Sequence, residues 1–237
     1  MIRTFLAGAS LAVAVVALLP WLVVWTLLTG KPDLMYRMAM SLIRCETRLL
    51  KIQVRVKGLE NVPPGACVFV ANHASSVDPM VLLPAIPRRV GILVKRELFR
   101  IPIFSTAMRV AYFVAVDRSG TESTGAMVST VVENLKKGLS YAIFSEGTRS
   151  PDGRMRPFKR GALTMAMEAG ASIVPVSLGG THRLLGKGKT VVCPGEATVQ
   201  FGPALDASSY HREQRSELLD QVEALVAAGL PRDQQPL

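Results

Sequence analysis

The residues best suited to chemistry lie in a short polar segment between two apolar runs. One run ends at Ala71, Asn72-His73 follows it directly, and the second run begins just past Pro79. A proline suits the first turn of a helix, and the residue before it avoids helical backbone angles. The pattern therefore predicts a strand that ends near His73, a tight turn, and Asp78 at the N-cap of a helix.

Across such a turn the Asp78 carboxylate can reach the His73 imidazole. A histidine oriented by an acid is the arrangement that removes a proton from a hydroxyl group. The alternative is a structural pair, in which the histidine is merely hydrogen-bonded and the aspartate caps a helix. Other polar segments of the chain favour the catalytic interpretation.

The second informative segment follows an apolar strand that ends at Phe144. Gly147 allows a close approach of the backbone to a ligand, and Thr148 and Arg149 offer a hydroxyl and a guanidinium suited to phosphate. Further cations stand ahead of a predicted helix, at Arg154, Arg156, Lys159 and Arg160. Solvated surface charge is the alternative, but their place at strand ends and near a helix N-terminus indicates an anion site. Arg118, after another predicted strand, adds to this set.

Strands and helices alternate from residue 52 onward, which predicts an α/β fold: a mixed central sheet flanked by helices on both faces. The predicted strands are 52–56, 67–71, 90–94, 112–116, 141–144, 173–178 and 197–201. The predicted helices are 79–86, 102–109, 122–137, 160–169 and 206–228. In such folds binding sites form where strands end and helices begin.

The apolar composition of the N-terminal region indicates a membrane anchor. Residues 5–28 carry no charge; as a helix they extend about 36 Å, enough for a hydrocarbon core of about 30 Å and too long for the core of a cleavable signal peptide. Pro20 leaves open whether the helix spans the bilayer or dips into one leaflet.

A second helix is predicted over 33–51. Its apolar positions recur at three- and four-residue steps, at Leu34, Met38, Leu42, Cys45 and Leu49. A basic amphipathic helix beside a hydrophobic one indicates an interfacial anchor, and a core helix of the soluble domain is the alternative. The predicted organisation is a two-helix anchor (1–51), a catalytic domain (52–230) and a polar tail (231–237).

The net charge is +10, and residues 1–57 hold eight basic and two acidic residues. This clustering beside the apolar segment favours an anionic membrane surface over nucleic acid, and by the positive-inside rule it places the domain on the cytoplasmic side of the membrane. The three cysteines lack the spacing of disulfides or of a zinc site.

Five segments in a fixed order resemble the motif set of the glycerolipid acyltransferases, most closely the 1-acyl-sn-glycerol-3-phosphate acyltransferases of bacterial inner membranes. The segments are Asn72-His73 with Asp78, then 116–118, 144–150, 158–161 and 173–176. Many family members have proline where Ser145 stands, and many have a glycine near Ser105 or Val110.

The resemblance implies roles for individual residues. It makes His73 the general base and Asp78 its orienting acid. The acceptor's phosphate and glycerol fall to Arg118, Glu146, Gly147, Thr148 and Arg149, with Lys95 near the phosphate and Lys159 in the following motif. Val174-Pro175 is implied to shape the acyl-donor side as a turn.

The implied reaction transfers an acyl chain from acyl-CoA or acyl carrier protein to the sn-2 hydroxyl of lysophosphatidate, giving phosphatidate. An activated hydroxyl and a stabilised oxyanion suffice for attack on a thioester, so we expect no metal and no further cofactor. Two alternatives remain open: another anionic acceptor such as a lyso-ornithine lipid, and a non-catalytic lipid-binding protein of the membrane surface.

Overall fold

A computed structural model of the chain describes residues 1–101, 103–116 and 121–236, with the backbone alone for 121–124. In this part of the chain eight strands form one mixed sheet, in the order β1-β7-β6-β2-β5-β3-β4, with β8 also paired to β6. The strands are β1 (Ile52–Lys57), β2 (Cys67–Ala71), β3 (Val90–Lys95), β4 (Val114–Val116), β5 (Ser140–Phe144), β6 (Ser172–Gly179), β7 (Gly195–Phe201) and β8 (Leu205–Asp206).

The centre of the sheet is parallel, and this brings the strand ends that matter to one edge. β2 pairs in parallel with both β5 and β6, while β3 pairs in parallel with β5 and β4. In this register Ala71 lies beside Phe144 and Lys95 beside Val116. The polar segments that follow these strands therefore start from the same edge of the sheet.

Helices cover both faces of the sheet. The helices are α1 (Ile2–Thr29), α2 (Asp33–Leu49), α3 (Asp78–Leu82), α4 (Phe104–Val110), α5 (Thr121–Lys136), α6 (Gly161–Ala169), α7 (Thr181–Leu184) and α8 (Arg215–Ala228). Side chains alternate along β2, so that Phe69 joins the apolar cluster beneath α2 and α3, whereas Val68 and Val70 join the cluster beneath α5, α6 and α8. Phe69 meets Phe201 edge to face, with ring centroids 6.0 Å apart. The predicted fold class is confirmed.

Three predicted elements differ from the structure, and the first is the helix predicted over 79–86, which ends at Leu82 and is followed by a 3₁₀ turn over Leu83–Ala85. The strand predicted over 112–116 begins only at Val114, because Tyr112 has a left-handed backbone with φ of 60°. The helix predicted over 206–228 begins at Arg215. Asp206 accepts hydrogen bonds from the backbone N–H and the hydroxyl of Ser208 instead, and such local bonds compete with helix formation.

α1 lies against the domain along its length. Thr4 Oγ1 accepts a hydrogen bond from the Val192 N–H, and the Ser10 hydroxyl donates to Glu46 at 2.8 Å. Nearer its C-terminal end, Val23 packs with Ala107 of α4. Its most apolar stretch is only 11% buried, and α1 is the one described helix whose length and composition suit a membrane span.

The predicted two-helix anchor is corrected to one helix, since α2 belongs to the core of the domain. Tyr36 and Met40 of α2 are buried in the apolar cluster on the sheet, and the Tyr36 hydroxyl accepts the Val90 N–H at 3.3 Å. Leu34 and Leu49, from the apolar stripe predicted to define this helix, are exposed. α2 therefore has two apolar faces. The sheet covers the face of Tyr36 and Met40, whereas the residue spacing had indicated the face of Leu34 and Leu49.

The described residues of the predicted polar tail, 231–236, make contacts with the domain. Residues Arg232–Gln234 form a short 3₁₀ turn, and Gln234 is only 1% exposed. Its contacts lie close to the strand ends described next.

Candidate active site

His73 and Asp78 form a close pair at the end of β2. His73 Nδ1 lies 2.7 Å from Asp78 Oδ2, and the same oxygen accepts the backbone N–H groups of Ala74 and Ser75, each at 2.8 Å. The Asp78 side chain is fully buried, while 18% of the His73 side chain is exposed. Three donors thus fix the carboxylate, and the imidazole stays within reach of a ligand.

Asp78 is the first residue of α3 and not its N-cap, which is Val77. The carboxylate turns back to the preceding turn and accepts its N–H groups there, so the capping prediction is wrong. Ser75 supports the turn from the other side, since its hydroxyl donates to the Leu185 carbonyl at 2.7 Å and accepts the Val77 N–H at 3.0 Å.

The pairing determines which imidazole nitrogen can act as a base. Because Asp78 Oδ2 accepts a hydrogen bond, His73 Nδ1 carries the proton and Nε2 keeps the free lone pair. The ring also stacks on Phe144 of β5, with centroids 4.4 Å apart and an interplanar angle of 26°. A ring held by a carboxylate and an aromatic face is oriented for proton transfer at Nε2.

Asn72 has a role that the sequence did not reveal. Its amide donates to the Leu178 carbonyl at 3.1 Å and accepts the Leu178 N–H at 2.8 Å. The side chain thus pairs with the backbone of β6 just where β2 ends, and it is buried. A polar residue directly after a buried strand was the available signal, but its partner is 106 residues away in the chain.

The turn after β5 packs against the His73 turn. The Ser150 N–H donates to the His73 carbonyl at 2.8 Å, and Arg149 donates to the Ser76 hydroxyl. Gly147 has φ of +72°, and a Cβ there would lie 2.8 Å from Lys159 Cε. The backbone angle therefore favours glycine at this position, and the end of the Lys159 side chain lies close to it.

Glu146 is directed into the protein. It is 4% exposed, and its Oε1 accepts the His73 N–H at 2.8 Å. Burial raises the pKa of this carboxyl from 4.5 to about 7, while hydrogen bonds from the backbone N–H groups of His73 and Arg156 lower it and the charge of Asp78 raises it. The structure thus places Glu146 behind the base, and its predicted contact with the acceptor stays a prediction.

The raised pKa of Glu146 predicts a pH dependence of stability. Between about pH 4.5 and 7 the folded state binds a proton that the unfolded state releases, so the free energy of unfolding falls as the pH rises through this range. We expect Glu146→Gln to flatten this slope, as measured by urea unfolding at about pH 5 and about pH 8. Glu217→Gln, at an exposed position of α8, should leave the slope unchanged. An unaltered slope in Glu146→Gln would contradict this assignment.

The remaining predicted residues divide by position. Lys95 ends β3 and is exposed at the same edge of the sheet, and Thr148 lies in the turn between Gly147 and Arg149. Arg118 falls outside the described residues. Val174 and Pro175 lie inside β6, paired with β2, and do not form a turn.

Metal ligands were not expected from the sequence. Among the residues that the structure describes, no group of three or more histidine, cysteine, aspartate or glutamate side chains is placed to hold a metal ion. The prediction that the reaction needs no metal or cofactor stays a prediction.

The fold and the residues around His73 match known proteins. A family model described as acyltransferase matches residues 53–179. The chain belongs to the acyltransferase family. The matched region of this acyltransferase contains His73, Asp78 and the whole turn after β5, so the resemblance drawn from the motifs is confirmed.

Several relatives carry a more specific name. A 1-acyl-sn-glycerol-3-phosphate acyltransferase of Pseudomonas aeruginosa is 32% identical over 177 residues, covering 74% of this chain and 68% of its own. One of the same name from Cocos nucifera is 32% identical over 171 residues, covering 72% of this chain. The alignment spans only 56% of that coconut protein.

A solved structure shares the architecture of this acyltransferase. The 1-acyl-sn-glycerophosphate (LPA) acyltransferase PlsC from Thermotoga maritima superposes with a TM-score of 0.82 at 27% identity. The match covers 96% of this chain and 93% of that one. It therefore extends beyond the sheet to most of α1.

Proposed function

We propose that this acyltransferase moves an acyl chain from an acyl thioester to the sn-2 hydroxyl of 1-acyl-glycerol-3-phosphate, giving phosphatidate. The observation that carries the proposal is the His73–Asp78 pair, held against a turn rich in cations and hydroxyls at one edge of the sheet. The names of the relatives support the choice of acceptor.

In this mechanism His73 Nε2 takes the proton of the acceptor hydroxyl while the hydroxyl oxygen attacks the thioester carbonyl. Asp78 stabilises the imidazolium that forms, because its carboxylate lies 2.7 Å from Nδ1. When the tetrahedral intermediate collapses, the C–S bond breaks and the imidazolium returns the proton to the leaving thiolate. The products are the new ester and a free thiol.

The acceptor's phosphate is assigned to the cations at the same edge. Lys95 ends β3, Arg149 follows Gly147, and Lys159 lies over Gly147. Arg118, from the sequence, joins this group. Guanidinium and ammonium groups bind phosphate by charge-assisted hydrogen bonds.

The acyl donor is a thioester of coenzyme A or of acyl carrier protein.

The acyltransferase is proposed to work on the cytoplasmic side of the inner membrane, with α1 lying in one leaflet. The contacts of Thr4, Ser10 and Val23 hold the helix flat on the domain, which favours an interfacial position over a span. Trp21 is 76% and Trp25 52% exposed, and tryptophan prefers the membrane interface.

We expect the protein to float with anionic vesicles, and the double change Trp21→Ser and Trp25→Ser to lower the bound fraction severalfold at equal protein concentration. The exposed aromatic surface of α1 is lost while the contacts of Thr4, Ser10 and Val23 remain. Vesicle flotation measures the fraction directly. An unchanged bound fraction in the double variant would argue against membrane contact through this face of α1.

Comparison of acceptors tests the function. Lysophosphatidate, a monoacylglycerol without phosphate and a lyso-ornithine lipid are each supplied with one acyl-CoA, and esterified product is quantified. We expect lysophosphatidate to have the highest kcat/KM, with the monoacylglycerol lower by about a hundredfold because the cations of the site lose their anionic partner. Preference for lyso-ornithine lipid would replace the acceptor in the proposal, and absence of product with every acceptor and donor would reject the transferase.

A further inference from the structure

Gln234 lies in the polar C-terminal segment, the described residues 231–236, and its side-chain amide is buried. It is 1% exposed, and a polar group buried this deeply needs hydrogen-bond partners. Its Oε1 accepts the Gly180 N–H at 2.7 Å, and its backbone carbonyl accepts the Met155 N–H at 2.8 Å. Its Nε2 faces the Gly153 carbonyl at 3.5 Å and His182 Nδ1 at 3.1 Å.

Neighbours of Gln234 make further contacts to the same two regions. Asp233 forms an ion pair with Arg183, and Arg154 donates to the Gln235 carbonyl at 3.3 Å. The C-terminal segment therefore joins α7 to the residues that follow the turn after β5.

Those residues, 150–158, are called the cationic loop below because they carry Arg154 and Arg156. Its first residue, Ser150, donates its N–H to the His73 carbonyl at 2.8 Å. The Ser150 hydroxyl accepts the Gly153 N–H at 3.1 Å. The cationic loop thus begins with a hydrogen bond to the backbone of His73, and its middle residues Gly153 and Met155 contact Gln234.

We infer that Gln234 is a positioning residue, which holds the cationic loop so that Lys159, which follows this loop, faces the acceptor's phosphate. The inference rests on the function proposed above and extends it to a residue outside the matched family region, which ends at residue 179. Gln234 itself touches neither the reacting atoms nor His73.

The amide of Gln234 has one productive orientation. The Gly180 N–H needs an acceptor and the Gly153 carbonyl needs a donor, so Nε2 must also present an N–H to His182. His182 Nδ1 therefore has to be unprotonated. Burial and the Arg183 charge lower the pKa of His182, against the raising effect of the charges of Asp233, Asp152 and Asp78, which is consistent with a neutral ring.

This arrangement makes Gln234→Glu an informative variant of nearly unchanged shape. A carboxylate keeps the acceptor for the Gly180 N–H, but it meets the Gly153 carbonyl and a neutral His182 with lone pairs only. A protonated His182 would donate to the carboxylate and relieve one of these contacts. The variant should therefore hold the cationic loop better at acidic pH, whereas the wild type gains nothing from this protonation, because its Nε2 needs an unprotonated Nδ1.

The test measures kcat and KM for lysophosphatidate in wild type and Gln234→Glu at about pH 8 and about pH 5.5. We expect KM to rise about tenfold at the higher pH and to recover in part at the lower pH, with kcat within about twofold of wild type. Gln235→Ala is the matched control, since the side chain of Gln235 donates to the Leu230 carbonyl and, among the described residues, to none of the cationic loop. A wild-type KM at both pH values, or a loss confined to kcat, would overturn the inference.

Trypsin cleavage after Arg154 gives a readout that does not depend on activity. We expect Gln234→Glu to be cleaved there about tenfold faster than wild type and Gln235→Ala under native conditions at about pH 8. Equal rates would overturn the inference even if the wild type had no acyltransferase activity, so the two proposals fail separately. Should Gln234→Glu not fold, Asp233→Asn weakens the same segment at its exposed ion pair, and it must raise cleavage and KM in the same direction or the inference is rejected.

Discussion

Replacing His73 by alanine is expected to lower kcat about a thousandfold while the protein stays folded. Nε2 of His73 is the proton acceptor in the proposed mechanism, and the Asp78 carboxylate that orients it lies too deep in the protein to take its place. The measurement is acyl transfer to lysophosphatidate at saturating substrate, beside a thermal unfolding curve.

The matched control for this change is His211→Ala. His211 is exposed and stands just before the 3₁₀ turn Arg212–Gln214, in a different part of the chain. Its removal should leave kcat unchanged. Turnover of His73→Ala near the wild-type value would show that another group activates the acceptor, and the mechanism would be wrong.

The second large effect is expected for Asp78→Asn, which should lower kcat about a hundredfold with little change in stability. The N–H groups of Ala74 and Ser75 both point at Oδ2, so the amide oxygen of the asparagine should occupy that place and still accept from His73 Nδ1. The tautomer and the ring orientation are then kept. What is lost is the negative charge that stabilises the imidazolium, so kcat and not KM should change.

Asp78→Ala tests the structural role of the Asp78 carboxylate, as distinct from the role of its charge. It removes the acceptor of two backbone N–H groups in a buried turn, and leaving them unpaired should lower the free energy of unfolding by about 3 kcal/mol. Urea unfolding of both variants gives the comparison. If Asp78→Asn kept wild-type kcat, the carboxylate would be a structural anchor for the turn and not part of the proton transfer.

Much of the site followed from local sequence. A buried strand, then His73, then an aspartate just before Pro79 requires a short turn, and the turn itself brings the two side chains together. The parallel sheet then places the segment after Phe144 beside it. These features depend on residues within a few positions of each other and on the general geometry of α/β sheets.

The features that the sequence did not reveal depend on distant partners. The side chain of Asn72 hydrogen-bonds to Leu178, and that of Gln234 hydrogen-bonds to Gly153 and Gly180. No local sequence pattern predicts these contacts. Glu146 looked like a ligand-binding carboxylate from its place in the turn, but its burial against the His73 backbone depends on tertiary packing.

The N-terminal helices illustrate the limits of periodicity. α2 carries apolar residues on two faces, and spacing alone does not say which of them the sheet will cover. Leu34 and Leu49 of the predicted stripe are exposed, whereas Tyr36 and Met40 are buried. Likewise Asp206 and Ser208 bond to each other, which delays the start of α8 past the point that composition indicated.

Thiol release from acyl-CoA, recorded with and without lysophosphatidate on detergent-purified protein, is the most direct test of the central claim. The account predicts release that depends on the acceptor and equals the phosphatidate formed, because His73 activates the acceptor hydroxyl for attack on the thioester. Release at the same rate without acceptor would mean thioester hydrolysis. That result would contradict the proposed transfer and leave the cations around Gly147 without their assigned ligand.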